Sequence, residues 1–320
     1  MVYFWIAFLT LILTLLVLDL AVINRKAHAI RMRVALAWTL FYASLALTFC
    51  VLVYFMFENH WAGAGTQFGQ ELDGKEAAIK FFTAWLLEQS LSLDNVFVIA
   101  LVFAYFGVPL SEQHRVLFWG ILGVLVMRGV MIGAGSILIS RFDWMTYVFG
   151  VLLLITAVKL FFANEGPLDP DKNLFVRLFR RFYPVTREFH GSKFFVRVDG
   201  RLAMTPLFLA LVVVESSDLL FAVDSIPAVF GVTSDPFLVF TSNIFAILGL
   251  RSLYFTLAGL MERFHHVKTA LVFVLAFVGV KMLLPHGAIP DTVSLAVIAT
   301  MITTGVLASI FLTRKPKESA

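Results

Sequence analysis

The sequence predicts an all-α polytopic membrane protein of about nine transmembrane helices, organised around an inverted three-plus-three-helix repeat. Three observations predict it. Of 320 residues, 60% are hydrophobic and only 14% charged, with a mean hydropathy of +0.90, whereas soluble domains carry roughly 25% charged residues. Apolar runs of the length needed to cross a bilayer, about 20 residues, recur from end to end. Two of these runs hold acidic residues at the same spacing of six, Glu88 to Asp94 and Asp218 to Asp224.

The first run, roughly 2–23, has no basic segment before it and no small-residue cleavage site after it. It reads as a spanning helix rather than a cleaved signal peptide. With the second run, 34–57, it forms an accessory block over residues 1–57. The third run, 76–106, is about 31 residues long, more than a straight crossing requires. Its charged centre predicts a broken helix. Runs 113–139 and 144–163 complete a first three-helix block over 76–163. Runs 204–230, 237–261 and 266–284 make a second block, 204–284, followed by a ninth span at 290–312 and a tail at 313–320.

Between the blocks lies the one sizeable extramembrane segment, 164–203. Phe194-Phe-Val-Arg-Val-Asp199-Gly200-Arg-Leu alternates weakly about an Asp-Gly turn, which predicts a short hairpin. Forty residues with a hairpin are too few for an independent domain, so this is a cap or crossover and a candidate surface for a cytoplasmic partner. Basic residues set the orientation. Arg25, Lys26, Arg31 and Arg33 follow the first span. Lys172, Arg177, Arg180, Arg181, Arg187, Lys193, Arg197 and Arg201 fill the long loop, and Arg314, Lys315 and Lys317 end the chain. The second loop instead carries Glu58, Glu71, Asp73 and Glu76 against Lys75. An outside N-terminus and an inside C-terminus put every basic cluster in the cytoplasm. The net charge of +4 thus reflects orientation, and no nucleic-acid partner is expected. Asp19, beside the first basic loop, is expected in a helix-end ion pair.

Aligning Asp94 with Asp224 brings further charges into register. Arg128 matches Arg251 and Lys159 matches Lys281, at separations of 34 and 31 residues in the first copy and 27 and 30 in the second. Each copy covers three spans, so the second enters from the opposite side. Such inverted repeats place substrate near the midplane, where discontinuous helices meet.

An ionisable group in hydrocarbon costs at least about 2.5–3.5 kcal/mol and marks a functional site by default. On an intact helix six residues turn a side chain by about 120°, which would aim some of these acids at lipid. Irregular backbone lining a cavity removes the conflict. Pro227 supplies a cause in the second copy by leaving the Val223 carbonyl without an amide partner. Ser90, Ser92 and Asn95 are weaker candidates in the first. The expected cation site is Glu88, Asp94, Asn95, Glu215, Ser217, Asp218 and Asp224, with Arg128 and Arg251 as counter-charges. Glu88 or Glu215 could instead pair with an arginine to hold helices together. Lys159 and Lys281, near span ends, are expected to snorkel.

His28, His60, His114, His190, His265, His266 and His286 lie in loops or at span ends, and Cys50 is the single cysteine. An all-oxygen site suits magnesium, calcium or manganese better than zinc or copper. Clustered carboxylates disfavour one another's ionisation in a low dielectric, which offers a route to metal/proton exchange. One thiol cannot form a dithiol redox pair, and no nucleotide-binding glycine-rich loop is present. No enzymatic activity and no permanently bound cofactor are expected.

The strings Glu88-Gln-Ser-Leu-Ser-Leu-Asp94-Asn95-Val-Phe, Ala203-Met-Thr-Pro206-Leu and Glu215-Ser-Ser-Asp218-Leu-Leu-Phe-Ala-Val-Asp224-Ser-Ile-Pro227-Ala, with Thr241-Ser-Asn-Ile-Phe-Ala-Ile-Leu-Gly-Leu-Arg251-Ser-Leu-Tyr-Phe, resemble the TerC family of bacterial integral membrane proteins. The resemblance covers essentially the whole chain. It implies a nine-span inner-membrane protein related to LysE-type transporters and connected with manganese efflux. Manganese as the exported ion is implied only by that resemblance. The family is also linked to tellurium resistance, alkaline stress, redox modulation and membrane-protein assembly. The competing expectation is therefore a stress, redox or assembly factor without transport.

The basic clusters generate a first test. A topology reporter fused near Arg180 should report the cytoplasm, and one fused near Asp73 the periplasm; the opposite pattern would invert the assignment.

Overall fold

The computed structural model describes residues 2–18, 32–66, 72–162, 173–186, 188–198, 200–257, 265–285 and 287–312. Helices occur at each of the nine expected positions: α1 (Val2–Leu18), α2 (Met32–Glu58), α3 (Gly74–Phe106), α4 (Leu110–Arg141), α5 (Met145–Phe162), α7 (Pro206–Phe230), α8 (Pro236–Leu257), α9 (His265–Leu283) and α10 (Asp291–Leu312). Among the described residues, seven helices are long and apolar enough to cross a membrane, and α1 is a shorter apolar helix. Asp19, Arg25, Lys26, Arg31, Glu71, Lys172, Arg187, Asp199 and the tail 313–320, to which sequence-based expectations were attached, lie outside the described residues.

Local sequence sets the helix ends. Asp73 caps α3 by accepting the Glu76 amide at 2.6 Å, as an aspartate N-cap does. Gly107 ends the helix at φ 65°, the left-handed conformation that favours glycine. Asp235 opens α8 by accepting the amides of Phe237 and Leu238 at 2.8 and 3.1 Å.

The expected break in α3 is absent. It runs unbroken for 33 residues, about 50 Å at 1.5 Å per residue. The hydroxyls expected to interrupt the helices bond back to their own turns instead. Ser90 donates to the Leu86 carbonyl at 2.7 Å; Ser217, expected as a cation ligand, likewise donates to its own turn at Val213, at 2.8 Å. α7 likewise continues through Pro227, which sits in its last turn, to Phe230. The acids avoid lipid because α3 is covered by neighbours, chiefly α2, α7 and α8, and not because the backbone opens.

The segment between the blocks holds more than the expected hairpin. That hairpin is present as β1 (Phe195–Val198) and β2 (Arg201–Met204), with Val198 opposite Arg201. Before it stands an unanticipated helix, α6 (Leu174–Phe182), capped by Asn173, whose Oδ1 accepts the amides of Phe175 and Val176. Thr205 closes the crossover by donating to the Lys193 carbonyl at 2.8 Å.

α8 is the centre of the bundle. Every residue from Phe237 to Tyr254 is buried, enclosed by α2, α3 and α4. Trp5, Phe8 and Phe49 of the accessory helices stack on Phe237, Phe240 and Phe245. The perimeter, by contrast, exposes apolar side chains such as Leu40, Val130 and Phe162, as a lipid-facing surface does. The other extensive pairings are α5 with α9, α4 with α7, and α3 with α7. At one end of the bundle Lys80 pairs with Glu76 at 2.6 Å and reaches Asp291 at 3.6 Å. Lys281 holds the same aspartate at 3.0 Å. Lys281 therefore ties α9 to α10 instead of snorkelling freely.

α5 and α9 cross at two glycines that face one another's backbone. A Cβ built on Gly150 would stand 3.0 Å from the Gly279 carbonyl oxygen, and one on Gly279 equally close to that of Gly150. Small residues permit such backbone contact between membrane helices. Gly150→Leu or Gly279→Leu should therefore lower stability by about 1–3 kcal/mol through overpacking. Gly133, with nothing within 4 Å of its Cβ direction, should tolerate Leu. Thermal unfolding of the purified variants in detergent would check this; equal effects at all three positions would count against the crossing.

Candidate functional site

The carboxylates meet first at a cation of the protein's own. Arg128, projecting from α4, is 1% exposed, the largest of the fully buried side chains. Its Nη1 donates to Glu88 Oε2 of α3 at 2.6 Å. Its Nε and Nη2 donate to the two carboxylate oxygens of Asp218 on α7, each at 3.2 Å. The planar guanidinium fork thus grips Asp218 with two bonds and reserves a third nitrogen for Glu88, a geometry lysine cannot reproduce. Glu88 is 1% and Asp218 5% exposed.

Two amides complete this centre. Asn243 of α8 donates to the other oxygen of Glu88 at 2.6 Å, and Asn95 of α3 donates to Asp218 Oδ1 at 3.2 Å. The oxygens of both amides, Oδ1 of Asn95 and of Asn243, are buried without a hydrogen-bond partner among the described residues. Buried acceptors are normally satisfied, so two orphans beside two carboxylates is an unusual concentration. They are hard oxygen donors with free lone pairs, the type that suits Mg²⁺, Ca²⁺ or Mn²⁺.

The remaining predicted residues surround this centre at different places. A cavity of about 20 Å³ between α3, α4 and α7 is lined by Asn95, Ser217 and Asp218 among apolar neighbours that include Val98, Ile121 and Phe221. That is room for about one water. Glu215 lies over α4, its carboxylate filling the space a Cβ on Gly123 would occupy. Asp224 turns toward α5, where Thr156 Oγ1 donates to it at 2.7 Å. Asp94 is half-buried on α3, one residue before Asn95. Arg251 is buried on α8, 6% exposed.

The structure therefore gathers Glu88, Asn95, Asp218 and Arg128 into one contact network, with Ser217 on the adjoining cavity. Asp224 belongs to a separate pairing with Thr156. No group of three His, Cys, Asp or Glu side chains is assembled as a metal site among the described residues. The pairing of a glutamate with an arginine, one of the two roles open from sequence, applies to Glu88. Asn243 and Thr156 were not anticipated as site residues. Thr156 gave only a lone hydroxyl in an apolar run and Asn243 only the end of a Thr-Ser-Asn triplet, neither of which by itself separates a ligand from an intrahelical hydroxyl or amide.

The integral membrane protein TerC family profile matches residues 73–317. An uncharacterized membrane protein of Myxococcus xanthus is 45% identical over 316 residues, covering 98% of this chain and 94% of that protein. An uncharacterized membrane protein of Rickettsia bellii is 40% identical, covering 96% of both chains. Alx of Escherichia coli K12, provisionally named a membrane-bound redox modulator, is 45% identical over 296 residues, covering 92% of this chain and 90% of Alx. No solved structure matches the chain significantly.

Removing one member of a buried ion network leaves uncompensated charge and costs about 3–5 kcal/mol. Arg128→Gln should accordingly lower the thermal midpoint sharply. The triple change Glu88→Gln/Arg128→Gln/Asp218→Asn should recover most of that loss, because no charge is left unpaired. Melting of the three purified proteins in one detergent would decide it; a triple variant as unstable as the single one would show that Arg128 contributes packing rather than charge.

Proposed function

Because the chain belongs to the TerC family of integral membrane proteins, we propose that it is a secondary transporter exporting a hard divalent cation, Mn²⁺ in the first instance, through the buried carboxylate centre. The observation that carries this reading is the pair of unpartnered amide oxygens of Asn95 and Asn243 beside Glu88 and Asp218. Arg128 occupies the centre as a tethered cation. It neutralises the acids when no metal is present, sparing the bundle two uncompensated carboxylates. A divalent ion entering between Glu88 and Asp218 would take over that role as the guanidinium withdraws. The amide oxygens, Ser217 and the adjoining cavity would supply neutral ligands. Glu215, Asp94 and Asp224 line the route on either side, and their carboxylates offer places for a counter-transported proton. The metal is cargo, with no permanently bound cofactor and no enzymatic chemistry.

The architecture we attach to this function is nine crossings, with α3–α5 and α7–α9 as inverted copies. Helix pairing supports it. Exchanging α3 with α7, α4 with α8 and α5 with α9 carries the α3–α8 contact onto the α4–α7 contact, and leaves α3–α7, α4–α8 and α5–α9 unchanged. Placement in a bacterial inner membrane, N-terminus periplasmic and C-terminus cytoplasmic, follows from the basic loops.

The name of Alx favours a second reading, modulation of redox state without transport. It would have to operate without a dithiol. Cys50 is the chain's single cysteine, half-buried on α2 with its Sγ donating to the Ala78 carbonyl at 3.4 Å.

Asp94→Asn and Asp224→Asn should each abolish manganese export in proteoliposomes loaded with a manganese-sensitive dye, while inserting normally. The amide keeps the size but removes the charge a divalent ion needs. Glu88→Gln and Asp218→Asn should also block export, since the ion enters between them, and should lower protein yield as well because each leaves Arg128 partly unpaired, whereas Glu215→Gln should only slow export. Export that persists at wild-type rate in both Asp→Asn proteins, at equal abundance, would move the non-transport reading to first place.

A further inference from the structure

α6 is docked along α7 at two levels. Asn173 Nδ2 donates to Ser216 Oγ at 2.6 Å, and the Phe179 ring meets Phe208 edge-on at 5.4 Å between centroids. Val176 between them is fully buried. Phe208 and Ser216 are about 3 and 15 Å from the start of α7 at 1.5 Å per residue. α6 therefore lies alongside that half of α7, within the depth of one leaflet of a hydrocarbon core about 30 Å thick.

The rest of its surface divides into two arcs. At about 100° per residue, Leu174, Phe175, Leu178 and Phe182 share one arc, and they are 71%, 39%, 50% and 68% exposed. Arg177, Arg180 and Arg181 share the adjoining one and are exposed as well. Arg177 and Arg181 make no ion pair among the described residues. Four large apolar side chains at leaflet depth are stable in acyl chains and not in water. The arginines beside them need an anion at the same depth, and guanidinium forks match phosphate oxygens.

We infer that α6 is a lipid-facing helix, running along the first half of α7, that binds anionic phospholipid, with its apolar arc among the acyl chains and the long side chains of Arg177 and Arg181 reaching headgroup phosphates. Through Asn173 the same helix is bonded to α7 one residue from Glu215 and two from Asp218. Bound lipid thereby fixes the helix that carries three of the site's acids. This inference stands on α6 alone and does not depend on what the protein transports.

The test uses lipid quenching. Full-length protein carrying C50A and L178C, labelled with bimane, is reconstituted into phosphatidylcholine containing a fixed fraction of either brominated phosphatidylglycerol or brominated phosphatidylcholine. Brominated phosphatidylglycerol should quench with a relative association constant at least about fivefold higher, the factor that one arginine near an anionic surface supplies. R177Q/R181Q should bring the ratio to about one, while R177K/R181K retains a clear preference. A probe at F161C, on the exposed end of α5, controls for incorporation. Equal quenching by both lipids in the parent protein would overturn the inference. So would absence of quenching at position 178 while position 161 is quenched, which would place the apolar arc against water or a protein partner.

Discussion

The Arg128 guanidinium, held between Glu88 and Asp218, is the interaction on which the arrangement of the bundle depends. Its three bonds reach from α4 to α3 and α7, and the asparagine on Glu88 brings in α8. None of these helices can slide or rotate appreciably without separating charges in a medium that penalises separation severely. The apolar contacts around the centre constrain the same helices far less specifically, since lipid solvates a leucine as well as another leucine does. A buried ionic network is also a poor source of net stability compared with a well-packed apolar substitute. Its presence in the middle of the bundle is therefore better explained by what it does than by what it holds.

Much of this was legible in the sequence, and the failures have identifiable causes. The acids and Arg128 stand out because each contradicts its apolar surroundings, and the helix positions follow from length and hydropathy. Continuity of α3 was not legible. Whether an acid on a long helix faces lipid depends on which helices cover it, and Ser90 and Ser217 can break a helix or bond back into it with the same composition. Asn243 and Thr156 were invisible as site residues because their roles exist only across helices far apart in sequence. α6 was missed for a different reason. The asparagine cap and apolar spacing were present over 173–182, but the density of arginines made the segment read as loop.

The two three-helix blocks are alike in pairing and unlike in surroundings. α8 is enclosed along its length by α2, α3 and α4, with Phe8 of α1 and Phe49 of α2 against Phe245. α4, by contrast, exposes Val126 and Val130. α4 is also the helix rich in glycines, and its neighbour uses them: Glu215 lies over Gly123, and the Phe230 ring fills the space beside Gly135. A smooth helix bearing the arginine thus faces a clad helix bearing the asparagine.

The burial of α8 and of Glu88 also constrains how the chain is made. Glu88 precedes Arg128 by 40 residues and Asp218 follows Arg128 by 90. During synthesis α3 therefore leaves the ribosome before its counter-charge exists, while α7 arrives after the arginine is in place. α3 is best accommodated by waiting for α4, so that the two enter the bilayer together with Glu88 already paired to Arg128. α8, with Thr241, Ser242, Asn243 and Arg251 all buried, is a poor segment to release into lipid alone. It emerges last among its packing partners, when α2, α3 and α4 have already formed the slot that receives it, so the order of genes' translation is also an order of solvation.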